Sequence, residues 1–191
     1  MKTKKVYTQM TKSPCLKLLS NAIVDENGEI TACEQWITNG SAAYLLEGLP
    51  QFQADNLLNL LAVSEKNRKK YSVTEGNIRI NGIVEPIYRD VCHDDIIVTP
   101  MCDIFGNMAM ISEDKQTVVF VPDNFVDVFE DDAVTYVVRT SEGMRYVAAR
   151  CGLICKGVVI SSDYTSTSSA QEAIDRLRII IREIDREKAL T

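Results

Sequence analysis

A short pattern that occurs twice places the strongest constraint on how this chain folds. Residues 55–61 and residues 123–129 both run Asp-Asn, two apolar residues, Asn or Asp, and two more apolar residues. Each copy follows an apolar stretch that ends in proline, at Pro50 and at Pro122. Because Asp and Asn are preferred N-cap residues, each copy predicts a strand that runs into a short helix.

The repeat predicts an α+β fold with two related subdomains. Three segments rich in Val, Ile and Tyr follow the second copy, which is typical of strands, and we interpret the first copy in the same way. Each subdomain is then a strand-helix-strand-strand-strand unit with its helix on an antiparallel sheet. The predicted boundaries are residues 1–100 and 101–160 for the two subdomains, residues 161–169 for a polar linker, and residues 170–191 for a C-terminal helix.

Turn residues predict where strands pair along the chain. Asn39-Gly40 predicts a hairpin between the apolar segments on its two sides, and residues 113–115 predict another. At the N-terminus, residues 3–9 are predicted to form a first strand. Ser13-Pro14 then predicts a helix start, because proline suits the first helical position.

The C-terminal segment is predicted to be an amphipathic helix that begins with a capping box at residues 169–172. Its apolar residues fall on one helix face: Ile174, Leu177, Ile181 and Ile184. We favour packing of this face on the same chain. A dimer through the helix is the alternative, so a monomer or a dimer is expected.

Charge and cysteine content limit the classes of function. The net charge is −6, and the acidic excess lies in the middle of the chain, which argues against a nucleic-acid-binding protein that uses its whole surface. No apolar run reaches the roughly 18–20 residues of a membrane helix. No long apolar core follows the basic N-terminus, as it would in a secretory signal. We therefore predict a cytoplasmic protein that does not cross a membrane, with its six cysteines as reduced thiols.

The residues around the sole histidine are the candidates for catalysis: His93, Asp94, Asp95 and Asp103. Carboxylates and imidazole suit a magnesium ion at a hydrolytic site, whereas a polar loop is the alternative because no recognised zinc spacing is present. The chain also has no P-loop, dinucleotide fingerprint, GxSxG or HExxH motif. We therefore favour a protein that is not an enzyme and needs no cofactor or metal, with a small metal-dependent nuclease or hydrolase as the alternative.

Four short segments carry a family resemblance: residues 29–33, the turn at residues 38–40, and residues 152–154 and 157–160. The first two resemble a strand and Thr-Asp-Gly-type turn of DNA sliding clamps, the ring-shaped processivity factors of DNA polymerases. The last two resemble the closing strand of a clamp domain. The resemblance implies tandem clamp-like units over residues 3–160 and a role as a DNA replication accessory. Clamp helices face DNA with Lys or Arg, however, whereas the repeat helices here carry Asp and Asn.

One basic cluster follows the first repeat: Lys66, Arg68, Lys69 and Lys70. Cations suit the carbonyl groups at a helix C-terminus, so a solvated helix end explains the cluster. The alternative is direct contact with the phosphates of DNA or RNA, as a clamp-like accessory would make.

Acidic residues of the second repeat form the candidate partner-binding surface: Asp123, Asp127, Glu130, Asp131 and Asp132. They increase solubility, and they also suit docking on a basic partner by charge complementarity. Our leading hypothesis is a non-enzymatic cytosolic binding protein whose acidic surface docks on a nucleic-acid-processing protein. A phage or mobile-element inhibitor of a host nuclease, such as a CRISPR effector, is one concrete form of it.

Overall fold

The structure is a computed structural model that describes residues 1–24, 26–27, 30–49, 51–78, 95–104, 106–130, 133–141, 143–162, 175–182 and 186. The strands are β1 (Cys15–Val24), β2 (Ile30–Thr38), β3 (Ala42–Leu45), β4 (Ser72–Asn77), β5 (Ile96–Ile104), β6 (Asn107–Ser112), β7 (Val118–Pro122), β8 (Thr135–Ser141), β9 (Met144–Cys151) and β10 (Ile154–Ile160). The helices are α1 (Thr3–Met10), α2 (Ala54–Leu60), α3 (Glu65–Arg68), α4 (Asp123–Asp127) and α5 (175–182). The predicted α+β class is confirmed. Among the described residues, no helix combines the length and the hydrophobicity needed to cross a membrane.

The ten described strands form one sheet in the order β4-β1-β2-β3-β10-β9-β8-β5-β6-β7. Neighbours run antiparallel, except that β4 runs parallel to β1. This parallel pair departs from the purely antiparallel sheets that we predicted. It arises because the chain leaves β3, passes through α2 and α3, and returns beyond β2 and β1 to the edge of the sheet.

The C-terminal six strands close into a ring. Strands β10, β9, β8, β5, β6 and β7 are consecutive neighbours in the sheet. The backbone N–H of Ser162, two residues after β10, donates to the carbonyl of Phe120 in β7 at 2.9 Å. This bridge returns the chain to β7, which would otherwise be the second edge of the sheet.

One face of the sheet is covered by helices and forms the main core. Val6 of α1, Leu57 of α2 and Phe125 of α4 are buried in one cluster with strand residues such as Tyr44 and Val147. Side chains alternate between the two faces of a strand, so the neighbours of these strand residues point the other way. Burial of each large apolar side chain contributes roughly 1.5–3 kcal/mol, so this helix-covered face is the main source of stability.

An aromatic group lies where the N-terminal and C-terminal strands meet. The rings of Tyr44 and Phe129 have centroids 6.0 Å apart, and those of Phe125 and Phe129 pack edge to face at 5.4 Å. Gly157 of β10 lies opposite Tyr44 in β3. A Cβ atom at Gly157 would come within 2.5 Å of Cζ of Phe129, so only glycine fits between these rings.

The other face of the sheet carries α5. Leu177 is buried against Ile104 of β5 and Phe120 of β7, and Ile181 packs beside it. The predicted helix, residues 170–191, extends beyond the described segment on both sides. Ile174 and Ile184 lie outside the described residues, so the full helix and the dimer alternative stay predictions.

The N-terminal predictions were wrong. Residues 3–9, predicted as a strand, lie in α1, where Val6 and Met10 are one turn apart and both fully buried. The segment after Ser13-Pro14, predicted as a helix, is β1, in which Leu16 and Leu18 point into the core while Lys17 between them is exposed. In both segments, tertiary packing decides whether the apolar residues are buried with the spacing of a helix or with that of a strand.

Both repeat helices and both hairpins are present, as the sequence predicts. The predicted N-caps are wrong, however, because Gln53 and Pro122 occupy the N-cap positions, and neither makes a side-chain cap bond. Asp55 and Asp123 lie instead in the first turn of their helices, where a carboxylate interacts favourably with the helix dipole.

The order of elements around the second repeat is the predicted one, with β7, α4, β8, β9 and β10 in succession. The boundary predicted at residue 100 falls inside β5, and strands from both sides of it belong to one sheet. The division into two clamp-like subdomains stays a prediction. Of the predicted linker, residues 163–169 lie outside the described residues.

Replacing Gly157 with alanine is expected to destabilise the protein by about 1–3 kcal/mol, because the new methyl group overlaps the Phe129 ring. Urea denaturation monitored by circular dichroism measures this free energy of unfolding. Phe129→Leu removes the atom that the methyl group meets. The double variant should therefore lose less stability than the sum of the two single losses, whereas strict additivity would contradict the proposed contact.

Candidate protein-binding surface

A concave surface lies where β5 and β6 run side by side. It consists of two adjoining hollows of about 430 and 340 Å³. We call this surface the hairpin groove, and its lining residues are Asp95, Ile96, Ile97, Thr99, Met101, Ile111, Ser112, Glu113, Asp114 and Lys115. Three residues line both hollows, namely Ile97, Ser112 and Glu113, so the hollows form one continuous feature.

One isoleucine makes the floor of the hairpin groove apolar and accessible. Val98 of β5 is buried in the main core, so by strand alternation Ile97 points to the opposite face. The exposed fraction of Ile97 is 61%. Ile96 is 42% exposed and lines one of the two hollows, but alternation gives its side chain the same face as Val98. A large apolar side chain as exposed as Ile97, in a concave surface with a polar rim, suits contact with a partner.

The turn between β6 and β7 places two carboxylates at the rim. Glu113 and Asp114 are both exposed, and one cation, Lys115, lies beside them. The hydroxyl of Ser112 donates to Oδ1 of Asp114 at 2.5 Å, and the backbone N–H of Gln116 donates to the same oxygen at 3.0 Å. These bonds lower the pKa of Asp114, the Ser112 bond most, so this carboxylate stays charged in mildly acidic as well as neutral solution.

Asp95 closes one end of the hairpin groove and is held by two arginines. Arg139 of β8 donates from Nε and from an Nη nitrogen to the two carboxylate oxygens, at 2.8 and 3.0 Å. Arg150 of β9 lies 3.6 Å from the same carboxylate. All three side chains are at most 15% exposed. This buried ion cluster ties β5 to β8 and β9, because removing one member would leave the others charged and desolvated.

Sequence reasoning missed Arg139 and Arg150. Each follows two small or apolar residues inside a strand, Val137-Val138 in one case and Ala148-Ala149 in the other. A charge in such a segment needs a buried partner, and this pattern is the signal that could have found the pair.

Cys155 is buried near the two arginines. Burial raises the pKa of its thiol to about 11, although Arg150 and Arg139 favour the thiolate. The thiol is therefore neutral at physiological pH, where a neutral thiol is a poor nucleophile. Cys155 packs in the core, as free cysteines commonly do.

The structure separates the two described members of the predicted catalytic set. Asp95 and Asp103 flank most of β5, eight residues apart, which corresponds to about 26 Å at roughly 3.3 Å per residue. Asp103 accepts a bond from the backbone N–H of Gly106 at 3.2 Å in the next turn. His93 and Asp94 lie outside the described residues. Within the described residues, no group of three or more His, Cys, Asp or Glu side chains is placed to hold a metal ion.

Two residues of the predicted acidic surface at α4 form ion pairs with lysines near the N-terminus. Lys2 Nζ lies 2.7 Å from Oε2 of Glu130, and Lys5 Nζ lies 3.4 Å from Asp127 and 3.5 Å from Glu130. The bond from Lys2 is the largest cause that lowers the pKa of Glu130, followed by the charge of Lys2 and then by Lys5. Asp123 accepts a bond from the backbone N–H of Asn124 at 2.6 Å. The remaining two members, Asp131 and Asp132, lie outside the described residues.

The basic cluster is exposed at and just after α3. Lys66, Lys69 and Lys70 are exposed. Exposure is required both for a solvated helix end and for contact with phosphates. Arg68 is half-buried, and its guanidinium donates to the side-chain carbonyl of Asn59 and to the backbone carbonyl of Val63. Arg68 thus joins α3 to α2, and nucleic-acid contact by the other three stays a prediction.

No protein-family model, no curated protein and no solved structure matches this chain. The resemblance to sliding clamps therefore gains no support from these comparisons.

Asp95→Asn is expected to lower the free energy of unfolding by about 3–5 kcal/mol, because it removes the negative charge that two buried guanidinium groups contact. Chemical denaturation measures the loss. Asp103→Asn is the matched control on the same strand, and it should change stability by less than about 0.5 kcal/mol because Asp103 is exposed. Equal effects of the two substitutions would contradict the structural role of Asp95.

The cysteines should differ in their reaction with iodoacetamide at pH 8. Cys155 is buried and its raised pKa keeps it neutral, so alkylation should need either unfolding or a pH that approaches 11. Cys15 is exposed and serves as the internal control, which should react readily in the native protein. Peptide mass spectrometry measures both, and equal rates in the native state would contradict the placement of Cys155.

Proposed function

We propose that the protein is a non-enzymatic binding protein and that it docks on a basic surface of a nucleic-acid-processing protein through the hairpin groove. The observation that supports this proposal is the exposed side chain of Ile97 beside the charged rim carboxylates Glu113 and Asp114. An apolar floor with an acidic rim suits a partner segment in which aliphatic and basic side chains alternate. The apolar contacts supply affinity, and the charges supply orientation and rate of association.

The hairpin groove suits this role better than the acidic surface at α4 that the sequence predicts. At α4, the carboxylates of Asp127 and Glu130 already interact with Lys2 and Lys5 of the same chain. A partner's cations would have to displace these lysines. At the hairpin, the bonds to Asp114 come from neutral donors, so its negative charge remains available to a partner.

A concrete form of this function is inhibition of a nuclease. A surface that nucleic acid occupies is rich in Lys and Arg, because these residues neutralise phosphates. An acidic groove docked on such a surface competes directly with the nucleic acid. A CRISPR effector is one such target.

Binding should require both the apolar floor and the acidic rim of the hairpin groove. The probe is a dye-labelled peptide of alternating leucine and arginine, and fluorescence anisotropy measures its dissociation constant. Ile97→Gln, and separately the pair Glu113→Gln with Asp114→Asn, should each weaken binding about tenfold. Lys115→Gln should strengthen binding, because it removes the cation from the rim.

The matched control is the pair Asp127→Asn with Glu130→Gln, which removes the same number of charges at α4 and should leave the affinity unchanged. Loss of binding in this control, with retention in the hairpin variants, would move the docking surface back to α4. A leucine-glutamine peptide that binds as tightly as the arginine peptide would contradict the requirement for a basic partner.

A further inference from the structure

Within the part of the chain that the structure describes, the open edge of the sheet lies at β4. Among the described strands, β4 has one neighbour, β1, and occupies the end of the strand order. Five of its six residues are exposed, with Val73 half-buried. The strand contains no proline and no lysine, two residues that commonly block pairing at an edge. The bridge between Phe120 and Ser162 closes the other end of the strand order, so among the strands that are described β4 is the edge at which a further strand can be added.

The hydrogen bond that begins the β1–β4 pair shows which backbone groups face outward. The N–H of Ser72 donates to the carbonyl of Pro14 at 2.7 Å, so the backbone of Ser72 faces β1. Backbone groups alternate in direction along a strand, so Thr74 and Gly76 also face β1. The N–H and C=O groups of Val73 and Glu75 therefore point away from the sheet.

Lysines lie near this edge. Lys69 and Lys70 are exposed just before β4 begins, and Lys17 of β1 lies opposite Thr74 in the register. The one carboxylate of β4, Glu75, accepts a bond from the backbone N–H of Ala54 at 2.9 Å. Three lysines and one carboxylate thus lie around this edge, so the balance of these charges is positive.

We infer that β4 accepts an extended, acidic segment of a partner protein as an eleventh strand of the sheet. The outward backbone groups of Val73 and Glu75 supply main-chain hydrogen bonds, which fix the segment without regard to its side chains. Lys17, Lys69 and Lys70 select carboxylate side chains. This site is separate from the hairpin groove and takes a segment of the opposite charge.

The test uses a proline substitution that removes a hydrogen-bond donor on the open edge of β4. The hydrogen bonds between β1 and β4 stay intact. Val73→Pro removes an N–H that faces outward, so the β1–β4 hydrogen bonds remain, as for prolines tolerated on edge strands. Val73→Ala is the matched control, since it also shortens the half-buried side chain but keeps the N–H. Circular dichroism and urea denaturation establish that both variants fold.

The probe is a dye-labelled peptide of alternating valine and glutamate, as long as β4. The full chain should bind it, and added peptide should slow hydrogen exchange at the amides of Val73 and Glu75. Val73→Pro should weaken binding by at least about tenfold, and Val73→Ala should not. Changing Lys69 and Lys70 to glutamine should also weaken binding. Ile97→Gln should bind as the parent chain does, which separates this site from the hairpin groove.

Three outcomes would overturn the inference. The first is no binding of the peptide by the full chain, or equal binding by the two Val73 variants. The second is equal affinity for a valine-lysine peptide, which would exclude selection of acidic segments. The third is a dimer in sedimentation that Val73→Pro abolishes while the peptide does not bind, which would make a second copy of this chain the occupant of the edge.

Discussion

The pairing of β3 with β10 joins the two halves of the sheet. Only three residue pairs form this junction, from Ala42 opposite Val159 to Tyr44 opposite Gly157. So short a ladder contributes few hydrogen bonds, and packing across it has to supply the rest. The rings of Tyr44 and Phe129 lie over Gly157, where the missing side chain lets them approach the backbone. The buried aromatic group therefore helps to hold the N-terminal strands on the ring, together with the bond from the backbone N–H of Lys2 to the carbonyl of Val128 and the ion pairs of Lys2 and Lys5 at α4.

The junction between β3 and β10 also affects where the charged groups of the sheet lie. Once β10 and β9 are fixed, β8 and β5 follow in the order of the sheet, and Asp95 comes within reach of Arg139 and Arg150. The carboxylate of Asp95 then forms part of a buried ion cluster. At α4, by contrast, the carboxylates meet lysines in solvent, where such pairs contribute little to stability. The distribution of charge over this molecule thus depends on the fold as much as on composition.

Local signals in the sequence were sufficient for much of the fold. Turn residues at Asn39-Gly40 and β-branched runs after residue 133 predict strands correctly, because both signals act over a few residues. The N-terminal helix was missed because Val6 and Met10 form a buried face only beside α4 and β3. No short-range sequence pattern indicates that tertiary arrangement.

The candidate surface could not be predicted for a related reason. Ile97 lies in an apolar strand of ordinary composition, and its exposure depends on which strands and helices cover the face to which it points. Likewise, Asp95 resembles its neighbour Asp94 in sequence, and only the register of β5 against β8 pairs it with an arginine. Properties that depend on sheet register and on coverage become visible only in the folded chain.

The position of β10 in the chain has a consequence for synthesis on the ribosome. β3 consists of Ala-Ala-Tyr-Leu, and its partner on one side is made only after more than half of the chain has followed. Until β10 emerges, the nascent chain presents an apolar strand with unpaired backbone groups, which is prone to aggregate. A chain that stops before residue 154 would keep that edge permanently. Translation arrest in this region would therefore yield a product recognised by chaperones and proteases.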